Sequence, residues 1–363
     1  MGKWVGGGVE AVVMNYYRNI DRNKIQFDFI CDEDSTYIPY EEIEALGGRV
    51  ILVPPYQHVI AYHKSLKKVL ENGHYAIAHS HINAISVFSL WAARSAGVPV
   101  RIAHSHSTTN KHETAKNLFK KVLRPFSRVF ATSYMACSEL AGRWLFGDKP
   151  FNRGLVYVLN NAIDLSRFTF DPSMRMRMRA ELGVAEDTLV IGNVGRFVRQ
   201  KNQSFLLDIF REVRKENPNS LLMLIGQGPL ERELRVKARQ LGLSDSVLFL
   251  GQRDDVQNLY QAMDVFCLPS LYEGFGMVAV EAQVAGLPCV VSREVPCAVD
   301  ISHHVDFVGL EKSPAVWARH LLAADRSTRN DNAMQARAAG FDIAEESKKL
   351  EQYYLNSIHR IQQ

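Results

Sequence analysis

Apolar positions recur along the chain in two alternating patterns. Short runs of aliphatic and aromatic residues, such as KIQFDFIC (24–31), RVILVP (49–54) and TLVIGNVG (188–195), are typical of buried strands. Between such runs, stretches such as YHKSLKKVLEN (62–72) and QSFLLDIFREVRKE (203–216) space apolar residues three and four apart, which predicts helices. Because strands and helices alternate along the chain, we predict an α/β protein with parallel sheets covered by helices.

The same patterns predict the remaining elements. Further strands are predicted at 75–81, 99–106, 220–226, 246–251, 264–270 and 287–292, and further helices at 9–19, 41–46, 84–97, 229–242, 256–263, 277–286 and 341–361. The segment 161–188 is polar and basic with little strand character, so we place a domain seam there. We predict one domain at 1–164 and a second at 165–340, followed by a C-terminal helix at 341–363.

Composition narrows the class of protein. Of the 363 residues 47% are hydrophobic, which is enough for two packed cores, and a net charge of +4 is too mild to indicate a nucleic-acid partner. No apolar run reaches the ~18–20 residues that span a bilayer, and Lys3 is followed by glycines rather than by the apolar core of a signal peptide. Five cysteines without a CxxC pair predict buried free thiols in a reducing compartment. We therefore expect a cytoplasmic protein.

The stretch NVGRFVRQKN (193–202) is a candidate phosphate site. A predicted strand ends at Gly195, and a predicted helix begins near Asn202, so Arg196 and Lys201 flank the turn between them. Two cations beside a helix N-terminus suit a diphosphate. The alternative interpretation of the same residues is a solvated basic loop.

The stretch PSLYEGFGMVAVEAQVAGLP (269–288) is the second candidate. Gly274 and Gly276 lead from a strand end into a helix that begins near Met277, so the helix amides can meet a ligand. Glu281 stands inside an otherwise apolar helix, which is costly unless a partner such as a ribose hydroxyl pairs with it. Glu273 lies on the loop, within reach of a sugar. The alternative is that Glu281 extends to solvent.

These two stretches together resemble the glycosyltransferases of family 4. That family's pattern is Gly-Arg with a lysine five residues on, and then two glutamates separated by seven residues. Gly195-Arg196 with Lys201, and Glu273 with Glu281, match this spacing. The resemblance implies the GT-B fold, in which two Rossmann-like domains face each other across a cleft, and a C-terminal helix that crosses back to the N-terminal domain. The first domain would then serve the acceptor and the second the nucleotide sugar.

The resemblance also implies roles for individual residues. Arg196 and Lys201 would bind the donor diphosphate, Glu273 would contact the transferred sugar, and Glu281 would hold the ribose hydroxyls. The amides of Phe275, Gly276 and Met277 would reach sugar and phosphate, while Gly226, Gly228 and Arg253 would lie near the nucleotide base.

The N-terminal domain supplies further candidates by the same resemblance. The family carries a glycine-rich loop after its first strand, and GGGVE (6–10), with Gly7 and Gly8, matches it. Only Met1–Val5 precede this loop, so we expect the domain to lack its first strand, as it would if the numbering began at an internal methionine. The family also places a histidine beside the sugar. His106 is the better match and His104 its alternative, while His79 and His81 are read as strand-end or acceptor-side residues.

The implied reaction is transfer of a sugar, with retention of configuration, from a UDP- or GDP-linked donor to an acceptor hydroxyl, without a metal. Polysaccharide or glycoconjugate assembly is the expected context, with a saccharide or a lipid-linked acceptor. The segment 114–130 interleaves basic and apolar residues, which is typical of a peripheral contact with an anionic membrane such as the inner face of the plasma membrane, or of an ordinary helix with a basic outer face.

Three alternatives stay open at this stage. Asp32-Glu33-Asp34 has the DxD form that another glycosyltransferase fold uses to hold Mn²⁺, although an acidic surface loop has the same letters. A related GT-B enzyme, such as an epimerase or a phosphorylase, would share the fold. A non-catalytic protein that binds nucleotide sugars would share the donor site but show no turnover.

Overall fold

The computed structural model describes residues 1–106, 123–326, 329 and 331–362. Within it the chain forms two compact units. The first unit comprises Met1–Ile163 and Gly340–Gln363, and the second comprises Asp164–Ala339. The residues 341–363, predicted as a C-terminal helix, thus belong to the same unit as the N-terminal half of the chain.

The first unit contains two parallel sheets. Its strands are β1 (Asp28–Asp32), β2 (Arg49–Val53), β3 (Ile77–Ser80), β4 (Val100–Ser105), β5 (Ser133–Ala136) and β6 (Val156–Val158). Its helices before the second unit are α1 (Gly8–Asn19), α2 (Tyr40–Ala45), α3 (Val59–Gly73), α4 (Ser86–Ser95), α5 (Glu139–Phe146) and α6 (Asp148–Asn152). Strands β1 and β2 pair with each other, and β3, β4, β5 and β6 pair in that order.

The two sheets of this unit do not join among the residues that the structure describes. A cavity of about 320 Å³ lies between them, lined by side chains of β1 and β3. The first residues run beside β1 instead: the Met1 amino group donates to the Ile30 carbonyl at 2.8 Å, and Gly2 forms a parallel bridge with Cys31.

The second unit is a six-stranded parallel sheet covered by helices. Its strands are β7 (Leu189–Val194), β8 (Ser220–Ile225), β9 (Val247–Phe249), β10 (Val265–Leu268), β11 (Cys289–Ser292) and β12 (Val305–Val308). Its helices are α7 (Leu165–Phe168), α8 (Pro172–Glu181), α9 (Gln203–Glu216), α10 (Glu231–Gln240), α11 (Val256–Ala262), α12 (Met277–Val284), α13 (Pro314–Ala323) and α14 (Ala333–Ala338).

The strand order in this sheet is β12-β11-β10-β7-β8-β9. The chain therefore starts in the middle at β7, builds outward through β8 and β9, and returns to build the other half from β10. The order reverses between β7 and β10, and in open parallel sheets a ligand binds beyond the strand ends at such a reversal. The buried Asn193 amide donates to the Cys267 carbonyl at 2.7 Å and ties the two strands together.

The last helix of the first unit, α15 (Ile343–Gln362), packs against α1. Ile343, Leu350 and Tyr354 are buried in the same core as α1 and β1, where Tyr17 and Phe29 pack edge to face with ring centroids 5.1 Å apart. The apolar stripe of this helix thus contributes to a core built mainly from residues more than 180 positions earlier.

Several sequence expectations need correction. The first strand begins at Asp28 rather than at residue 24, because Ile25 and Phe27 pack on the core from the preceding loop. All five cysteines are free, but the prediction that they are buried is wrong for Cys297, which is exposed in a short 3-10 turn.

Of the segment 114–130, residues 114–122 lie outside the described residues, and Arg124–Arg128 form a 3-10 turn. In the described part of the chain, no helix combines the length and apolarity needed to cross a membrane.

Candidate functional site

The two motif-bearing loops meet at the carboxyl ends of β7 and β10. Residues 195–202 leave β7, and residues 269–276 leave β10. Two hydrogen bonds join these loops. The Leu271 N–H donates to the Gln200 carbonyl at 2.8 Å, and the Asn202 side-chain amide donates to the Pro269 carbonyl at 3.1 Å. The reversal of strand order therefore brings together two sequences that are about 70 residues apart, as expected for a ligand site.

Lys201 and Glu273 form an ion pair at this junction. The Lys201 ammonium lies 2.6 Å from Glu273 Oε1, and the two side chains are only 16% and 6% exposed. The Ser270 hydroxyl donates to the same carboxylate oxygen at 2.6 Å, and the Gln200 amide lies 3.5 Å from the other oxygen. Both charges are thus largely removed from water, so each depends strongly on its partner.

Arg196 stands beside this pair but faces solvent. It follows Gly195, whose φ of +155° turns the chain out of β7. The Arg196 side chain is exposed and makes no ion pair with a described residue. The N-terminus of α9 lies a few residues on, after Asn202, which has a left-handed φ of +55° and provides no side-chain cap. A solvent-facing guanidinium and uncapped helix amides are suited to bind an anion.

Helix α12 begins at the other loop. Gly276 precedes it with φ of +98°, a conformation that favours glycine, and Phe275 before it is buried. Within the helix, Glu281 Oε2 accepts a hydrogen bond from the Tyr260 hydroxyl at 2.9 Å. Burial raises the pKa of the Glu281 carboxyl, and the Tyr260 hydrogen bond and the Lys201 charge oppose that rise. Glu281 is therefore held in place, with one oxygen available to a ligand.

Gly226 and Gly228 let the loop after β8 pack directly on the loop after β7. A Cβ at Gly226, where φ is +133°, would lie 2.2 Å from the Gly195 carbonyl oxygen, and one at Gly228 would lie 2.5 Å from the Phe197 carbonyl oxygen. The Phe197 N–H donates to the Gln227 carbonyl at 3.0 Å. The position of Arg196 thus depends on glycines in a neighbouring loop.

Replacing Gly226 with alanine is expected to destabilise the second unit by about 2–4 kcal/mol, because the new methyl group meets backbone and the backbone conformation becomes strained. Thermal and chemical unfolding measure the change. Gly242→Ala is the matched control, since φ there is +70° but nothing lies within 4 Å of the new Cβ. Equal losses in the two variants would show that close packing of the two loops contributes nothing.

Arg253 is already engaged within the second unit. Its guanidinium donates two hydrogen bonds of 2.7 Å to Asp255, and Glu181 lies 4.0 Å away. Side-chain hydrogen bonding to Asp255 raises the pKa of Arg253. A role near a nucleotide base stays a prediction for this residue, and it would require sharing or releasing Asp255.

In the first unit the glycine-rich loop leads into α1. Gly7 is the residue before the helix and Gly8 its first residue, with open space around a Cβ built at Gly8. The Glu10 side chain folds back over this turn, and its Oε1 accepts from the Val5 N–H at 3.2 Å. The Glu10 carboxylate thus lies over the start of the helix, and the role of the loop toward a diphosphate stays a prediction.

His106 follows β4 and is 5% exposed. Its main-chain N–H donates to the Asn83 side chain at 2.7 Å, and its Nε2 lies 2.9 Å from His81 Nδ1. His79 and His104 lie next to this pair and are joined to each other at 3.0 Å. The two pairs of histidines proposed from sequence as separate candidates thus form one cluster.

The acidic triplet does not form a cation site in the described residues. Asp32 is 2% exposed, and burial raises the pKa of its carboxyl to about 6, opposed by the Met1 amino group. Asp34 instead pairs with Lys3 at 2.8 Å. A buried carboxyl and a neighbouring ion-paired one do not converge on one ion.

Sequence reasoning missed the residues that support the site. Tyr260 fixes Glu281, Ser270 and Gln200 hold Glu273, and Asn193 joins the two strands. No pattern in the sequence marks these partners, because the contacts span 3 to 74 positions and each residue is also ordinary for its element. The sequence did indicate the histidine cluster, because the motif AHSH occurs at the ends of both β3 and β4.

Comparison with known proteins agrees with this architecture. The family model for glycosyltransferase family 4 matches residues 6–167, and the model for glycosyl transferases group 1 matches residues 174–339. The putative glycosyltransferase EpsF of Bacillus subtilis is 38% identical over 324 residues, covering 88% of this chain and 84% of the relative. An Escherichia coli UDP-Gal:α-D-GlcNAc-diphosphoundecaprenol α-1,3-galactosyltransferase is 29% identical and covers 79% and 76%.

Solved structures show the same fold. The Anabaena protein HepE in complex with UDP-glucose superposes with a TM-score of 0.78 at 21% identity, covering 98% of this chain and 99% of that one. WaaG, a glycosyltransferase of lipopolysaccharide biosynthesis, superposes with a TM-score of 0.73 at 17% identity, with coverage of 98% and 99%. The fold expected from the sequence, GT-B with parallel sheets in two domains, is confirmed.

Proposed function

The chain belongs to the family 4 glycosyltransferases, and from this premise we propose that it is a retaining enzyme that uses a nucleotide diphosphosugar as donor. The observation that supports the proposal most directly is the convergence at the β7–β10 reversal. The two loops that meet there carry Arg196, Lys201 with its partner Glu273, and the uncapped N-termini of α9 and α12. A diphosphate is the ligand whose charge and size suit that arrangement.

The proposed chemistry is a displacement at the anomeric carbon. The bond between that carbon and the β-phosphate oxygen breaks while a bond to the acceptor hydroxyl oxygen forms on the same face. The acceptor proton passes to the departing phosphate oxygen. Negative charge grows on the diphosphate during this step, so Arg196, Lys201 and the helix dipoles stabilise the transition state more than the bound donor. Charge neutralisation by these groups replaces a divalent cation, and turnover is expected to persist in EDTA.

The two glutamates serve recognition in this proposal. Glu281 accepts hydrogen bonds from the ribose hydroxyls through the oxygen that Tyr260 leaves available. Glu273, held by Lys201 and Ser270, contacts the transferred sugar rather than acting as a nucleophile. The amides of Phe275, Gly276 and Met277 meet the sugar and phosphate at the start of α12. For Gly7, Gly8, Gly226, Arg253 and His106 the roles implied by the resemblance stay predictions.

The donor base and the acceptor are proposed more broadly. A UDP- or GDP-linked sugar fits the site, and UDP is the first to test because the E. coli relative is named as a UDP-galactose enzyme. A saccharide or lipid-linked acceptor in polysaccharide or glycoconjugate assembly follows from the same name. We place the protein in the cytoplasm at an anionic membrane surface, with the segment 114–130 as the proposed contact.

Nucleotide binding tests the donor site. UDP, GDP and ADP, each with its common sugars, are compared by thermal shift; a ligand at ~100 times its Kd stabilises by roughly 2.7 kcal/mol. Glu281→Ala is expected to weaken binding of the preferred nucleotide about 10- to 150-fold, the equivalent of one charged hydrogen bond at ~1.5–3 kcal/mol. Without ligand the variant should keep its stability, because the Tyr260 hydroxyl can still donate a hydrogen bond to the Val278 carbonyl at 3.1 Å.

Glu216→Ala is the matched control, since it removes an exposed helix carboxylate of the same unit. No shift with any nucleotide, or equal loss in both variants, would contradict the proposed donor site. A nucleotide-specific shift without turnover of its sugars would instead indicate a binding protein.

A further inference from the structure

Four histidine rings cluster on one face of the sheet in the first unit. Residues 79 and 81 at the end of β3, and residues 104 and 106 at the end of β4, each differ by two positions, so all four point to the same face. The rings of His79 and His81 lie 4.1 Å apart and those of His104 and His106 lie 3.9 Å apart. The repeated AHSH sequence builds this cluster from two adjacent parallel strands.

Nitrogen atoms of these rings approach one another closely. His79 Nε2 lies 3.0 Å from His104 Nδ1, and His81 Nδ1 lies 2.9 Å from His106 Nε2. At such a separation one nitrogen of each pair donates its proton to the other. His104 and His106 are at most 5% exposed. Their nitrogens His104 Nε2 and His106 Nδ1 are buried and have no hydrogen-bond partner among the described residues. The cluster thus has more nitrogen donors and acceptors than its own hydrogen bonds use.

The surroundings favour neutral rings. Apart from the rings and Asn161, the described residues that line the adjoining small cavity are aliphatic or aromatic, among them Val12, Phe27 and Leu350. Burial among such side chains disfavours the charged imidazolium form. Neutral imidazole is the form that ligates a transition metal.

We propose that His79, His81 and His104 bind one transition-metal ion, with Zn²⁺ as the expected occupant. Each ring offers a nitrogen, and the three nitrogens lie within 4.8 Å of one another. Tetrahedral zinc with ~2.0–2.1 Å bonds to nitrogen places its ligands ~3.3 Å apart, so small ring rotations close the site. In the described part of the chain, no other group of His, Cys, Asp and Glu side chains has comparable spacing.

The choice of ion follows from the donors. Three imidazoles and no carboxylate favour zinc, copper, nickel or cobalt over Mg²⁺, Ca²⁺ or Mn²⁺, which prefer oxygen. The Tyr354 hydroxyl lies 2.6 Å from His79 Nδ1 and orients that ring, as an outer hydrogen bond does at known zinc sites. The ion would replace the proton shared by His79 and His104, and it would fix His81 against His106. The three ligands belong to the first unit, and the inference goes beyond the proposed sugar transfer.

Titration of the metal-stripped full chain with Zn²⁺ tests the proposal. Calorimetry should show one equivalent bound, and Co²⁺ should give the visible absorption of a tetrahedral complex. His79→Gln and His104→Gln are each expected to weaken binding at least ~100-fold, since loss of an outer hydrogen bond alone costs about 10- to 100-fold. Tyr354→Phe is expected to fall in that smaller range while keeping the fold. His303→Gln with His304→Gln, an exposed adjacent pair on the second unit, should leave binding unchanged.

Circular dichroism of the metal-free variants separates lost ligands from lost folding. If His104→Gln does not fold, His79→Gln and Tyr354→Phe still decide the matter by their affinity and their cobalt spectrum. Absence of a stoichiometric site in the parent chain would overturn the proposal. Binding that survives His79→Gln, or that disappears with the exposed pair, would overturn it as well.

Discussion

Arg196→Ala is expected to lower kcat/KM for sugar transfer by ~10²–10³-fold while leaving the protein as stable as the parent. Removal of one group that stabilises charge in a transition state has this magnitude, equivalent to about 2.7–4 kcal/mol. The guanidinium is exposed and makes no ion pair with a described residue, so its loss leaves no uncompensated charge behind. Surface substitutions of this kind change the free energy of unfolding by less than ~0.5 kcal/mol.

The measurement combines steady-state kinetics with thermal unfolding. Arg199→Ala is the matched control, because Arg199 is also exposed, lies three residues along the same loop and is outside the family's pattern. Both variants remove one positive charge from the same surface, so a general electrostatic effect would reduce their activities alike. Full activity in Arg196→Ala, or equal losses in the two variants, would contradict a specific role at the diphosphate.

The sequence predicts the second unit well because its signals are local. The helix at 203–216 is found with the predicted bounds, and α12 begins at Met277 after the glycine that its entry conformation requires. The motif residues Lys201 and Glu273 come together because parallel strands end at the same edge of a sheet. A pattern of strands, glycines and charges therefore suffices to bring them to one position.

What the sequence could not supply depends on contacts distant along the chain. Strands β5 and β6, which lie on either side of α5 and α6, were not among the predicted strands. Arg253 was predicted as a nucleotide contact, and its engagement with Asp255 depends on a side-chain conformation that no spacing specifies. The Tyr260 bond to Glu281 likewise requires two helices to be packed before it exists.

Lys201→Met is expected to combine two losses, one of stability and one of catalysis. The substitution leaves the Glu273 carboxylate, 6% exposed, without its cation. Breaking a buried pair in this way costs about 3–5 kcal/mol, and we expect the lower end because Lys201 retains some contact with water. For a domain of this size a loss of about 3 kcal/mol lowers Tm by about 6–12 °C. Sugar transfer is expected to fall at least ~10²-fold as the ammonium leaves the diphosphate site.

A second substitution separates the two losses. In Lys201→Met with Glu273→Gln the uncompensated charge is gone, and the Ser270 hydroxyl, 2.6 Å from Oε1, can still donate to the amide oxygen. We expect most of the lost stability to return while transfer stays low, because the uncharged side chains of methionine and glutamine cannot stabilise the leaving diphosphate. Recovery of turnover with stability would show that Lys201 acts only through the fold. If Lys201→Met alone is as stable as the parent, Glu273 does not need its partner. The ion pair would then have no part in shaping the site.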